Sequence, residues 1–96
     1  MSEWLIEQLL KLGFREYIPS RLEECDRAWQ LTLNEEDEPT KFINVNWHDM
    51  SKVGRDESLP EVELYIEHEK FVEKRLFYGF FSEEDIISII IKTLSV

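Results

Sequence analysis

Ninety-six residues, 43% of them apolar and including three Trp, six Phe and three Tyr, suffice for one packed core and exclude an intrinsically disordered chain. Eleven Lys and Arg against 21 Asp and Glu leave a formal net charge of −10, which argues against phosphate backbones and anionic lipid as partners and favours basic protein surfaces. The single cysteine, Cys25, excludes an intramolecular disulfide and a multi-thiolate zinc site.

Residues 1–96 read as a single α+β domain. Its opening residues, Met1-Ser2-Glu3-Trp4-Leu5, carry no basic n-region, and the longest aliphatic run, Ile86 to Ile91, is broken by Ser88 and falls far short of the ~20 residues a membrane span needs. Both features point to the cytoplasm.

The first element is a helix. Ser2 is its N-cap, Glu3 sits in the first turn, and Gly13 is placed to end it at C′. Leu5, Leu9 and Leu12 recur at i, i+4 and i+7, with Ile6 and Leu10 widening the stripe. Pro19 then disfavours helix at Ile18, so Tyr17-Ile18 is expected to run extended, and Ser20 with Glu23 has the capping-box spacing of a single helical turn.

Three strands follow, each with one apolar and one largely polar parity. Trp29, Leu31 and Leu33 alternate with Ala28, Gln30 and Thr32. Ile43, Val45 and Trp47 alternate with Asn44, Asn46 and His48, and Val62, Leu64 and Ile66 with Glu61, Glu63, Tyr65 and Glu67. This is the pattern of an antiparallel sheet with one covered and one wet face. Asn34 to Pro39 suits a hairpin loop, and Asp49 to Pro60 a longer polar connection with Gly54 available for a turn. A fourth strand, Arg75 to Phe80, is apolar on both parities: Leu76, Tyr78 and Phe80 on one, Phe77 with Gly79 and Phe81 on the other. Such a strand is covered on both sides or meets another molecule.

The last element is a helix despite its isoleucines, because Ser82 and Asp85 have the N-cap and N3 spacing, Glu83, Glu84 and Asp85 meet the positive end of the dipole, and Phe81 with Ile86 forms a staple. Ile86, Ile89, Ile90 and Leu94 define its expected buried stripe, broadened by Ile87 and Ile91. The expected architecture is a four-stranded antiparallel meander with N- and C-terminal helices packed on one face.

No residue set carries a family signature or a recognisable chemistry. Cys25 with His48 or His68 has the residue types of a nucleophile and base, but nothing in the chain brings them together, and a buried thiol is the simpler reading. His48-Asp49 and His68-Glu69 lack the further ligands a metal requires, so no metal and no cofactor is expected. Asn34 to Glu38 lacks the alternating ligands and central glycine of a calcium loop. Gly13, Gly54 and Gly79 are too scattered for a phosphate cradle, and Tyr65 lies between Glu63 and Glu67 rather than beside the cations that accompany base stacking.

Two features remain. Glu61, Glu63 and Glu67 fall on the wet parity about 7 Å apart per two residues, close to the phosphate repeat of one DNA strand. The fourth strand has an aromatic surplus in Phe77, Tyr78 and Phe81. Together they predict a non-enzymatic protein-binding domain, an inhibitor or accessory protein that imitates DNA to occupy a basic partner surface. Small acidic α+β chains of this kind are familiar among virus-encoded inhibitors. The expected binding residues are Glu61, Glu63, Tyr65, Glu67 and Phe77. A structural subunit that forms a homodimer through the fourth strand is the second reading, and an uncharacterised small enzyme the third.

Overall fold

The computed structural model describes residues 1–17, 25–33, 41–52, 61–67, 75–78 and 82–95, with residues 17 and 75–78 described for their backbone only. The element order is α1 (Glu3–Lys11), β1 (Arg15–Tyr17), β2 (Arg27–Thr32), β3 (Phe42–Trp47), β4 (Val62–Glu67), β5 (Arg75–Tyr78) and α2 (Glu83–Leu94). The expected α+β meander is present, with β2 to β5 as its four antiparallel strands, and β1 adds a three-residue fifth strand beside β2. The extended stretch expected around Tyr17 is thus a short ladder strand, with Arg15 opposite Gln30 and Tyr17 opposite Ala28.

Local hydrogen bonding explains where the helices start and stop. Ser2 accepts the Leu5 N–H at 3.2 Å, and Gly13 ends α1 with φ +99°. The Gly13 N–H donates to the Leu10 carbonyl and the Phe14 N–H to the Leu9 carbonyl, the paired bonds of a Schellman motif, and Phe14 and Leu9 are both fully buried. At α2 the Ser82 hydroxyl accepts the Asp85 N–H while the Asp85 carboxylate accepts the Ser82 N–H, completing the expected capping box. Phe81 of the expected staple lies outside the described residues. So do Ser20 and Glu23, the Asn34–Pro39 loop, Gly54, His68, Gly79, Phe80 and much of the connection between β3 and β4.

Both helices cover the same sheet face. Leu5, Leu9, Ile86, Ile87 and Ile90 pack with Trp29, Ile43, Val45, Leu64 and Ile66 in one core, and Ile6, Leu12, Leu31, Trp47, Val62 and Ile89 close its margins. Each fully buried aliphatic or aromatic side chain contributes about 1.5–3 kcal/mol. The α2 stripe is rotated from its expected position: Ile86, Ile87, Ile90 and Thr93 are buried, whereas Ile91 and Leu94 are exposed. Thr93 enters the buried stripe because its hydroxyl donates to the Ile89 carbonyl at 2.8 Å, leaving no unsatisfied donor. In α1, Leu10 is likewise exposed rather than part of the stripe. The two helix starts are tied together, since the N–H of Ser2 donates to Glu83 Oε2 at 3.1 Å and its hydroxyl to Glu83 Oε1. None of the described helices is long and apolar enough to cross a membrane.

Candidate protein-binding face

The face away from the helices can be read from register, because directly paired residues of an antiparallel sheet project to the same side. One cross-strand row is Tyr17, Ala28, Asn46, Glu63 and Tyr78. The next is Arg15, Gln30, Asn44, Tyr65 and Leu76, and a third is Thr32, Phe42 and Glu67. Side-chain hydrogen bonds run along these rows: Gln30 Nε2 to Asn44 Oδ1 at 3.0 Å, and Asn46 Nδ2 to Glu63 Oε1 at 2.9 Å. The rings of Phe42 and Tyr65 stack diagonally with centroids 5.6 Å apart and planes inclined by 27°, and the Tyr65 hydroxyl donates to Glu67 Oε2 at 3.1 Å.

Exposure varies along this face. At one end Ala28 is 0% and His48 1% exposed, and the Glu63 side chain is only 13% exposed with Oε1 lying 3.3 Å from His48 Nε2. At the other end Thr32 is exposed, and Phe42, Tyr65 and Glu67 are partly buried, as Glu63 is. His48, expected to point to solvent from its shared parity with Asn44 and Asn46, is buried. Its N–H joins the Glu61 carbonyl at 2.8 Å, which fixes it at the end of the β3–β4 ladder, and its imidazole turns toward Glu63.

The five expected binding residues therefore separate. Glu63, Tyr65 and Glu67 share the outer face of β4. Glu61 precedes the strand, and its Oε1 accepts from the N-terminal ammonium at 3.0 Å and from Trp47 Nε1 at 3.2 Å, contacts that draw it away from the row. Those two bonds, the ammonium's first, hold its carboxyl below the ordinary glutamate value against the opposing effect of desolvation. It borders a recess of about 380 Å³ lined by Met1, Ser2, Val62, Ser82, Glu83 and Ile86. Phe77 is paired with Leu64 in the backbone register, and the place opposite Glu63 belongs to Tyr78. The expected row of three acids is thus reduced to Glu63 and Glu67, of which Glu67 stands at the Thr32 end.

Phe42 is the member of this face that the sequence pattern does not bring out, because the apolar–polar alternation of the second strand begins at Ile43. The available signal was its shared parity with Asn44 and Asn46, which is outward, and its place opposite Glu67 depends on strand pairing.

A second polar cluster closes the His48 end. The Asp26 carboxylate accepts the Asp49 N–H and pairs with the Lys52 ammonium, and Asp49 in turn accepts from the Ser51 hydroxyl and N–H, which lower its carboxyl below the usual aspartate value. Cys25, adjacent to Asp26, is buried. These bonds staple the chain after β3 to the start of β2. Among the described residues, no group of three or more His, Cys, Asp or Glu is placed to hold a metal ion. Compared with known proteins, the chain matches no family model, no curated protein and no solved structure.

Proposed function

We propose that this chain is a small, non-enzymatic, cytoplasmic protein-binding domain that occupies a basic surface on another protein, as an inhibitor or accessory factor. The observation that carries this reading is the Thr32 end of the outer face, where a stacked aromatic pair lies beside a carboxylate on a protein of net charge −10. Partly buried rings supply contact area at low entropic cost, and net negative charge accelerates encounter with a cationic partner. A phosphate-imitating row of three glutamates is the weaker form of the idea, since Glu61 and Glu63 are already engaged by Trp47 and Asn46.

The test is affinity capture from the native host with the wild-type protein and Glu67→Lys, quantified by mass spectrometry, with thermal melting as the folding control. A partner retained by the wild type and depleted from a folded Glu67→Lys supports the reading. Equal retention of every specific partner overturns it for this face.

Self-association is the second reading, favoured by the position of β5 at the end of the strand order among the described residues. An unpaired strand edge is a template for a further strand. A monomer by light scattering at tens of micromolar would remove it.

A further inference from the structure

Helix α1 turns two large apolar side chains to solvent. Trp4 is 41% and Leu10 47% exposed, while Leu5 and Leu9 of the same helix are fully buried. Trp4, Glu7 and Leu10 follow one another at intervals of three and form one ridge outside the buried stripe, with Glu3 one turn before Glu7. Glu3 and Glu7 are both exposed. Among the described residues neither carboxylate pairs with a cation, Lys11 included, and the Trp4 ring meets no other ring and no cation.

A clasp within the chain shows what a tryptophan and a neighbouring carboxylate hold together. The Arg27 guanidinium carbon lies 4.6 Å from the Trp29 ring centroid, and Arg27 Nε donates to Glu16 Oε2 at 2.7 Å. On α1 a tryptophan and a glutamate one turn apart carry no such cation. We infer that this ridge is a docking site for an arginine-bearing segment of a partner protein, the guanidinium lying on the Trp4 ring and donating to Glu7 while apolar atoms of the segment cover Leu10. Tryptophan attracts a cation more strongly than the other aromatic rings do. Arginine is favoured over lysine because its plane can stack on the ring while its edge bonds a carboxylate, whereas an ammonium is a more strongly hydrated point charge. A second copy is the poorer occupant, since each chain carries a net charge of −10 and the same ridge would set Glu3 and Glu7 against further carboxylates. The inference shares the basic partner of the proposed function but places the contact on the helix layer, across the sheet from its outer face.

The test titrates ¹⁵N-labelled full chain with capped tetra-arginine and capped tetra-lysine peptides at low salt, following the backbone amides and the Trp4 indole N–H. Tetra-arginine should bind about threefold or more tighter than tetra-lysine, since the equally charged peptides share their Coulombic attraction and differ in stacking and forked bonding. Its largest shifts should fall at Trp4, Glu7 and Leu10, and Trp4→Leu and Glu7→Gln, both folded as shown by their spectra, should each reduce the arginine preference. Equal affinity for the two peptides, shifts centred on Phe42 to Glu67 or on Asp26 to Lys52, or an unchanged preference in both variants would overturn the assignment. So would Trp4 and Leu10 signals that move on dilution of the chain alone, which would give the ridge to a second copy. The sheet reading fails separately: equal capture by Glu67→Lys removes the outer face and leaves the helix site, whereas a missing arginine preference at Trp4 removes the helix site and leaves the outer face.

Discussion

Glu63 Oε1 lies 3.3 Å from His48 Nε2, and both side chains are withdrawn from water on a sheet face that alternation alone would leave wet. This pair marks one end of the outer face, and the contact with a buried imidazole distinguishes Glu63 from Glu67, which looks equivalent in sequence. Glu63 also accepts from Asn46, and Glu67 accepts from the Tyr65 hydroxyl beside the Phe42–Tyr65 stack.

The two glutamates should therefore respond differently to charge reversal. Glu63→Lys sets a cation against the buried imidazole and removes the acceptor of Asn46, which should cost about 2–4 kcal/mol. Glu67→Lys should cost about 1 kcal/mol or less, as expected of a partly exposed polar contact. Urea unfolding of the two variants measures the difference; equal costs would contradict the distinction between them.

Gly13→Ala isolates backbone strain from steric clash. A Cβ at this position would meet Leu31 Cδ1 at 3.5 Å, an ordinary contact, but the residue's φ of +99° is one that L-amino acids rarely adopt. The substitution should cost about 1–2 kcal/mol through strain at the end of α1. A denaturation midpoint equal to that of the wild type would show that the Schellman turn relaxes without penalty.

Acid should weaken the fold through Glu61. Its carboxyl is held below the ordinary value near 4.5 in the folded chain, first by the N-terminal ammonium and then by the Trp47 indole. A depressed folded value means that the associated stability is fully present above about pH 4.5 and is lost as pH falls through the folded value. The urea midpoint should therefore drop on acidification below that point, and Glu61→Gln should reduce the drop. If the two proteins lose stability in parallel, the Glu61 bonds contribute nothing.

Salt should act in the opposite sense to its effect on an ion-pair-stabilised protein. With a net charge of −10, self-repulsion opposes compaction, and screening shortens its range to about 10 Å at 0.1 M. The melting temperature should rise between low and moderate sodium chloride. A fall would mean that pairs such as Arg27–Glu16 and Lys52–Asp26 outweigh the overall repulsion.

The amino-acid sequence by itself determined the helix starts and the α1 stop, the parity of β2 to β4 and the α+β meander. Ser2, Gly13 and Ser82 act within one turn of themselves, and alternation is set by neighbours two residues apart, so these signals are complete locally. The tertiary structure alone decided the short β1 strand, the burial of Ala28 and His48, the pairing of Phe77 with Leu64, the turning of Glu61 toward Trp47 and the meeting of Phe42, Tyr65 and Glu67. Each depends on which residue of a distant strand arrives opposite, and a shift of one position in register exchanges the two faces of a strand.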